Sequence, residues 1–541
     1  MFKRQIKLAL TILFLLLAGT ASAVPSTSAS LPSKPKVFLI LIDKVTWQDL
    51  NASKTPTIKK LINKGATGLL SNHTALSVTK TGSSYVTIGA GNRSTAGLGV
   101  NLALTKYEKF KELTATNLYE QRYRQTPGTA QVLHLALPAQ ERANLLLNYG
   151  TQPALLGDVL QKNKVATAVY GNADLDAKEN LFRDAALIAA NRQGQVPYGD
   201  VSSRNHKPAA TAPFGLITNY NFIFKQLKKE LNKARFFVIE TGDFRRIDAF
   251  QKYTNETVTK AYKQAALKRL DRFLQLLLKE EPLTQAVYLL VAPSPPLTEQ
   301  LQKVQQLTPI IMAGTGVSSG SLTSSSTKRV AIVTSTDIAP TILAFFKLPT
   351  PYQMTGRPMQ VSQPKLTPKQ LEQANADYML ADLVASPAII TYILWQSLAL
   401  LLVLLVMTSR LKQIQVWRRL SQICLLAALA LPLAYLMAPL LPYQTPVGYI
   451  GAVLLFTYAL VLLALAGEKL VRHGSLLVAS GATVLFIVIN LLAGSYTDLR
   501  SVFGYSPIVA GRFYGMGNQT FSLLIPAFFV FLALVLDSFS L

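Results

Sequence analysis

Cysteine and histidine are scarce in this sequence, and acidic residues are few. Its 541 residues include one cysteine, Cys424, and four histidines. A single cysteine excludes an intrachain disulfide, so an exported domain of this chain must be stable through its core alone. The 28 Asp and Glu residues stand against 54 Lys and Arg residues, which gives a net charge of +26. Such a surface favours anionic partners such as phosphate-bearing wall polymers or lipid headgroups, whereas scattered lysines are also typical of a solvated surface without a specific partner.

Aromatic residues, 9% of the chain, are not interleaved with basic clusters as they are in nucleic-acid-binding proteins. We therefore expect no nucleic-acid partner. Apolar residues make up 50% of the chain, and the mean hydropathy is +0.28. A chain of this length and content is too long for one compact domain and too apolar to be wholly soluble, so membrane lipids are expected partners.

Residues 1–23 have the pattern of a secretory signal peptide. A basic start precedes the apolar run 8–18, and small residues at 21–23 form a cleavage pattern. An uncleaved anchor is the alternative, and in either case the region that follows is exported. Residues 24–36 are rich in Ser, Pro and Ala, which is typical of a linker.

Five apolar runs follow in the last third of the chain, each near the ~20 residues that span a bilayer as a helix. They are 388–407, 421–441, 447–466, 475–493 and 521–536. Because they are almost free of charge, buried helices of a soluble core are a weak alternative. We interpret 387–541 as a membrane domain, joined through a linker at 363–386 to a globular domain at 37–362. Leu541 follows the last run directly, as it would in a fragment of a longer protein.

The basic residues of this membrane domain predict its orientation. Arg and Lys residues at 410–419 and 469–472 follow the first and third runs, whereas the loop 442–446 carries no charge. The positive-inside rule places the basic loops in the cytoplasm and the globular domain outside, in agreement with the signal peptide. We expect a multi-pass protein of a bacterial-type cell membrane whose large domain is extracytoplasmic.

Short apolar runs alternate with helical patterns through 37–362. The predicted strands are 37–42, 166–170, 236–239, 286–291, 309–312 and 330–333, and the predicted helices are 56–64, 154–162, 219–233, 257–279 and 338–346. This alternation predicts an α/β fold with a mostly parallel sheet and helices on both faces. Ligands of such sheets bind beyond the carboxyl ends of the strands, where Asp43 follows the first run. A cation-binding carboxylate is the favoured interpretation, with a solvent-facing residue or a helix cap as the alternative.

Several stretches carry a resemblance to a known family. Residues 322–359 read LTSSSTKRVAIVTSTDIAPTILAFFKLPTPYQMTGRPM, residues 308–314 read TPIIMAG, and residues 79–91 read TKTGSSYVTIGAG. Together with Asp43 and the helix after it, they resemble the alkaline phosphatase superfamily from about residue 36 to residue 359, apart from an unmatched insert at 100–148. The resemblance implies an alkaline-phosphatase-like fold and hydrolysis or transfer of phosphate or sulfate esters over metal ions.

The resemblance also assigns roles to side chains. It implies that Asp43 binds the first metal and that the hydroxyl nucleophile lies at the helix start in 79–91. We choose Thr81, with Thr79 and Ser83 as alternatives, and a turn that merely needs small polar residues is the competing interpretation. Asp243 fits the strand-end Asp of the second metal.

The sequence departs from the family at several ligand positions. Asp248 lies near where a histidine is expected after Asp243 and is a candidate metal ligand of a rearranged site, with Arg246 beside it as a candidate anion ligand. A salt-bridged surface turn is the alternative. Residues 292–296 read APSPP where the family has an Asp-His pair, and no later histidine precedes 309. The domain's own histidines, His73, His134 and His206, lack ligand-spaced partners and are interpreted as surface residues. A two-zinc site of the usual kind cannot be assembled from matching positions.

A loop of the membrane domain adds a further candidate. Residues 504–518 read GYSPIVAGRFYGMGN and are rich in Gly and aromatic residues, with Arg512 as a candidate anion ligand. This loop could approach a lipid phosphate or dock on the globular domain, and an ordinary connecting loop is the alternative. Proximity of Arg512 to Asp43 would indicate one composite site.

Two hypotheses for function follow. The favoured one is a membrane-anchored, degenerate alkaline-phosphatase-like protein of the cell envelope, which binds an anionic component or a partner without chemistry. The alternative is a metal-dependent hydrolase or transferase of phosphate-type esters, with one divalent cation (Mn, Mg or Zn) in a reduced site around Asp43, Thr81 and Asp243.

Overall fold

The computed structural model describes residues 35–76, 80–176, 180–296, 306–408, 414–495, 497–514 and 516–539. The predicted signal peptide, most of the predicted linker at 24–36, and Thr79 lie outside these ranges. The strands, named β1 to β17 in chain order, are Lys36–Leu41, Ala66–Ser71, Ala103–Thr105, Lys109–Phe110, Leu113–Thr114, Val132–His134, Thr167–Tyr170, Gln195–Val196, Tyr198–Asp200, His206–Pro208, Leu216–Thr218, Phe236–Glu240, Ala286–Val291, Thr308–Gly314, Gly320–Ser324, Ile332–Thr334 and Met359–Ser362.

Helices cover both faces of the main sheet and then form the membrane domain. The α-helices, α1 to α16, are Trp47–Ala52, Pro56–Lys64, Ser83–Ala90, Ala115–Tyr123, Leu137–Leu145, Leu155–Lys162, Ala186–Ala189, Tyr220–Glu230, Asp243–Phe250, Glu256–Glu280, Ile338–Phe345, Pro368–Thr408, Ile414–Met437, Pro446–Glu468, Gly474–Leu492 and Asn518–Phe539. Short 3-10 helices lie at Ser203–Asn205, Pro213–Gly215, Gln251–Tyr253, Ser335–Asp337, Ala438–Leu440 and Asp498–Arg500.

The main sheet is mostly parallel, as the alternating pattern predicted. Its strand order is β17-β15-β2-β14-β13-β1-β12-β7-β9, with β16 also paired to β2. β1 pairs in parallel with β12 and β13, while β14 runs antiparallel to both of its neighbours. The carboxyl ends of β1, β2, β7, β12, β13 and β16 therefore meet at one edge of the sheet, here called the carboxyl edge.

The core has two layers, one on each face of the main sheet, and the side chains of the central strand β1 contact both. Val37, Leu39 and Leu41 of β1 face a cluster that includes α3, α6 and α11. Phe38 and Ile40 face the opposite cluster, with α2, α8 and α10. Because side chains alternate along a strand, a continuous apolar run is what a strand buried on both faces requires. The predicted α/β fold is confirmed, and the predicted strands and helices lie within a few residues of the observed ones.

The insert that the resemblance left unmatched builds a small layer of its own. β3, β6 and β8 form an antiparallel sheet, and β4 pairs with β5. Apolar side chains of β3 and β6 pack with those of α4 in a separate cluster that includes Leu104, Tyr119 and Leu133, whereas Val196 of β8, which lies outside the insert, packs in the main core.

The membrane domain consists of helices that are long and apolar. Five helices in the described part of the chain are long and apolar enough to cross a membrane, in agreement with the five predicted runs. The first of them, α12, has 41 residues and begins at Pro368, so most of the segment 363–386, predicted as a linker, is helical. Leu371, Ala374 and Tyr378, at helical spacing, bury one face of α12 in the domain core.

The globular domain contacts the membrane domain directly. Arg329 donates hydrogen bonds to the carbonyl oxygens of Phe513 and Gly494, at 2.6 and 2.5 Å. Ser71, at the end of β2, donates through its hydroxyl to the carbonyl of Pro507 at 3.0 Å. The loop between α15 and α16 is therefore docked on the carboxyl edge.

Candidate functional site at the carboxyl edge

Asp43 follows β1 at the carboxyl edge, as predicted, and is only 1% exposed. Its Oδ1 accepts hydrogen bonds from the backbone N–H of Ser294 at 2.9 Å and from the Ser294 hydroxyl at 2.7 Å. Lys44 donates to the carbonyl of Pro295 at 2.9 Å. The segment 292–296, which has no metal-binding side chain, thus holds the turn that carries Asp43. Asp43 Oδ2 is buried without a hydrogen-bond partner among the described residues.

Further ionisable groups surround Asp43. Burial, followed by the charge of Asp43, raises the pKa of Glu240 well above its usual range. Burial also raises the pKa of Asp184, whose Oδ2 accepts from Arg245 at 3.3 Å. Burial, Asp43 and Glu240 raise the pKa of the Tyr85 hydroxyl. The pKa values of these groups near Asp43 are thus raised for a shared reason, because burial desolvates them all.

Neither Asp184 nor Ser294 was predicted from the sequence as a site residue. Asp184 lies 61 residues before its partner Arg245, and Ser294 lies 251 residues after Asp43. The only sequence signal for Ser294 was its position after a predicted buried strand, because loops after parallel strands converge at one edge.

Asp243 lies in a different environment from Asp43. Its Oδ1 accepts from the backbone N–H of Thr218 at 2.7 Å and from Arg246 at 3.0 Å, and its Oδ2 accepts from Arg269 at 2.8 Å. Burial alone would raise the pKa of Asp243, but the two guanidinium groups outweigh it and hold the pKa below its usual range. Arg246, the predicted anion ligand, is fully buried in this pair.

Thr81 lies at the mouth of a pocket above Asp43, here called the edge pocket. The pocket has a volume of about 170 Å³ and is lined by Lys44, Lys80, Thr81, Gly82, Ser84, Tyr85, Leu175, Phe182, Arg245, Asp248, Ala249 and Ser294. Thr81 is exposed, whereas the alternative Ser83 is fully buried and its oxygen accepts from the N–H of Ala96 at 3.0 Å. Asp248 lines the same pocket and is 4% exposed.

The solved structures similar to this chain include members of the alkaline phosphatase superfamily. A superfamily protein from Vibrio parahaemolyticus is 12% identical, with a TM-score of 0.39, and the match covers 63% of this chain and 75% of that one. The lipoteichoic acid synthase LtaP from Listeria monocytogenes is 13% identical, with a TM-score of 0.38, and the match covers 63% and 79%. Alkaline phosphatase from the Antarctic bacterium TAB5 is 9% identical, with a TM-score of 0.36, over 58% and 99%. Neither a sequence-family model nor a curated protein matches the chain.

The residues at the edge do not fit a pair of metal ions. Asp243 is engaged by two arginines rather than turned toward Asp43, and Ser294 takes one oxygen of Asp43. Within the described ranges, no group of three or more His, Cys, Asp and Glu side chains is placed to hold a metal. Thr81 and Asp248 share the edge pocket near Asp43, whereas Asp243 and Arg246 lie apart from it.

The histidines also differ from their sequence interpretation. His134 is fully buried rather than a surface residue, and its Nε2 lies 2.9 Å from the carbonyl oxygen of Val100. Burial lowers the pKa of His134 to about 4. His206, 8% exposed, also has its pKa lowered to about 4, by burial and by Arg246. Residue type alone could not reveal this, because the strand carrying His134 belongs to the unmatched insert.

Arg512 lies in a second cavity at the carboxyl edge rather than beside Asp43. This cavity has a volume of about 570 Å³ and is lined by Ser71, His73, Asn92, Arg93, Tyr149, Ser325, Ser326, Thr334, Thr336, Thr355, Arg357, Ala510, Gly511, Arg512, Phe513 and Tyr514. Because it lies between the docked loop and the ends of β2 and β16, we call it the loop pocket. Arg512 does not line the edge pocket next to Asp43, so the described residues do not form the composite site that would join the two.

Proposed function

We propose that this chain is a membrane protein of the cell envelope whose globular domain binds an anionic, phosphate-type component without chemistry. The observation that carries the proposal is that the carboxylates expected to bind metal already pair with other side chains of the protein. Asp243 forms ion pairs with both Arg246 and Arg269, and Asp43 accepts two hydrogen bonds from Ser294. A carboxylate committed to buried ion pairs is costly to withdraw for a metal, because its partners would be left desolvated and unpaired.

The edge pocket supports an anion as the bound group. Lys80 and Thr81 are exposed at its mouth, at the amino end of the eight-residue helix α3, while Asp43 and Glu240 are 1% and 2% exposed beneath it. The backbone N–H groups of Ser83 and Tyr85 at this helix start already donate to the carbonyl oxygens of Lys80 and Gly82, so the ammonium group of Lys80 is the main attraction for phosphate or sulfate oxygens. An exposed lysine and an exposed hydroxyl at the mouth support binding of an anion there.

Placement of the domain outside the cell is part of the proposal. It rests on the basic loops at 410–419 and 469–472 and on the signal-like pattern at 1–23. An envelope location would expose the domain to anionic wall polymers or lipid headgroups, for which a chain of net charge +26 is suited.

Binding by the full-length protein tests this function. Calorimetric titration with glycerol phosphate, sulfate and uncharged glycerol should show binding of the anions only, weakened in Lys80→Gln. The matched control is Lys60→Gln, because Lys60 is also an exposed lysine but lies on α2, away from the pocket. Equal affinities for wild type and Lys80→Gln would remove the edge pocket from the proposal.

One observation favours the alternative, a reduced metal-dependent hydrolase or transferase. Asp43 Oδ2 is buried and lacks a hydrogen-bond partner in the described structure, which a single divalent cation (Mn, Mg or Zn) would satisfy. Metal content and phosphomonoesterase and phosphodiesterase turnover should be compared between wild type and Asp43→Asn. Stoichiometric metal and turnover that both vanish in a folded Asp43→Asn variant would establish this alternative and overturn the non-catalytic function.

A further inference from the structure

We propose that the loop pocket is a second anion site, assembled jointly by the globular and membrane domains, and that it binds a phosphate group at the membrane surface. This goes beyond the function proposed above, because the loop pocket and the edge pocket have different lining residues. The domain contributes Arg93 and Arg357, and the membrane-domain loop contributes Arg512.

The charge of the loop pocket has one sign. Arg93, Arg357 and Arg512 line it, and guanidinium groups stay protonated at any physiological pH. None of the three forms an ion pair with a carboxylate in the portion of the chain that the structure describes. Arg93 donates to the carbonyl of Ala510, and the Arg512 guanidinium lies 5.2 Å from the centroid of the Tyr505 ring. Arg93 and Arg512 are thus held in place without being neutralised, and Arg357 lines the pocket as an exposed residue.

The carboxylate that contacts the lining from inside the domain belongs to Asp337. It is fully buried, and its oxygens accept hydrogen bonds from the Ser326 hydroxyl at 2.6 Å and from the N–H groups of Thr334 and Arg357, both at 2.9 Å. Asp337 therefore fixes the floor of the pocket and offers no free oxygen toward its interior.

Neutral hydrogen-bond donors complete the lining. Burial, followed by the charge of Arg93, lowers the pKa of His73, so its ring is neutral near pH 7 and presents one N–H donor. The hydroxyl of Ser325 is exposed on the same lining. Three guanidinium groups with neutral donors match a tetrahedral oxyanion, since arginine pairs with phosphate oxygens through parallel N–H groups.

The location of the pocket points to the source of the phosphate. The loop that carries Arg512 joins α15, which ends at Leu492, to α16, which begins at Asn518, and both helices are long and apolar enough to cross a membrane. The pocket consequently lies next to two helix ends, at the level where lipid headgroups gather. Its volume of about 570 Å³ accommodates a phosphate with a small polar group attached.

The test uses the full-length protein in detergent. Native mass spectrometry should follow binding of short-chain phosphatidylglycerol and of diacylglycerol, which lacks phosphate, and calorimetry should follow glycerol phosphate. The double variant Arg357→Gln/Arg512→Gln should bind phosphatidylglycerol about 30-fold more weakly, if each arginine contributes as basic residues do near an anionic surface. Arg272→Gln is the matched control, because Arg272 is an exposed arginine on α10 and outside both pockets.

Each outcome decides the proposal. Tight phosphatidylglycerol binding with weak glycerol phosphate binding, lost only in the double variant, supports a lipid headgroup as the ligand. Comparable binding of glycerol phosphate, lost in the same variant, supports a free phosphate ester in the same site. Equal lipid binding by wild type and double variant, or equal binding of diacylglycerol and phosphatidylglycerol, would overturn it. If the double variant melts early, Arg512→Gln alone should still weaken binding about fivefold.

Discussion

Replacement of Asp243 separates its structural role from the metal-binding role that the resemblance implies. Asp243 is 2% exposed and lies between Arg246, which is fully buried, and Arg269. In Asp243→Asn the Arg246 guanidinium stays buried without a counter-charge. Breaking a buried pair by removing one partner costs about 3 to 5 kcal/mol. We expect the variant to lose this much stability with or without a chelator.

The assay is thermal unfolding of the full-length protein in detergent, with and without EDTA. For a domain of this size, a loss of about 3 to 5 kcal/mol lowers Tm by roughly 4 to 7 °C. Glu256→Gln serves as control, because the Glu256–Lys260 pair is exposed and its loss should leave Tm unchanged. If EDTA alone lowers the wild-type Tm by the same amount, and Asp243→Asn in EDTA melts like wild type in EDTA, the structural role is refuted.

The pH dependence of this effect has a defined sign. The native pKa of Asp243 is lowered, so its contribution is present above the unfolded Asp pKa of about 4 and is lost as pH falls through the lower native value. The difference in stability between wild type and Asp243→Asn should therefore be complete at pH 7 and should shrink below pH 4.

Three further changes have expected outcomes. The pKa of His134 is lowered from 6.5 to about 4, so protonation of this buried ring should reduce the stability of the wild type by up to about 3 kcal/mol as pH falls between those values. His134→Gln should therefore show a flatter dependence of stability on pH in thermal melting. Because the native pKa of Glu240 is raised, its contribution to stability is fully present below the unfolded Glu pKa and decreases as pH rises. The free energy of unfolding of Glu240→Gln should therefore rise relative to that of the wild type between pH 5 and 8, unless the carboxylate holds a cation. Gly171 has φ +89°, and a Cβ added there would lie 2.2 Å from the Glu240 carbonyl oxygen. Gly171→Ala should therefore destabilise the protein by more than about 1 kcal/mol in denaturant unfolding. Gly150→Ala, a position with open space around it, should destabilise it less.

Predictions from the sequence succeeded where apolar residues follow one another along a strand. The strands 236–239 and 286–291 are apolar on both faces, and the structure has them as Phe236–Glu240 and Ala286–Val291. β2 was missed because ATGLLS, although buried throughout, contains Thr, Gly and Ser and no run of branched apolar residues. A strand of this composition is specified by its neighbours in the sheet.

The site was only partly predictable for a related reason. The position of Asp43 follows from topology, since the residue after a central parallel strand must reach the carboxyl edge. Its partner Ser294 and the direction in which Asp243 points depend on packing between segments far apart in the chain. Asp243 opens α9, and its carboxylate turns toward Thr218 and Arg269 instead of toward β1. Spacing in the sequence does not encode that rotation.

The uninterrupted helix α12 sets the distance at which the globular domain works. A helix of 41 residues is about 60 Å long, and a bilayer core takes up only about half of that length. The remaining turns are fastened to the domain through Leu371, Ala374 and Tyr378. A domain fastened to a continuous helix has less freedom to move than one on a flexible tether, and Pro387 is the point in this helix at which bending is easiest. With α12 across a membrane, as we propose, we expect the pockets to sample molecules near the membrane surface before those farther away.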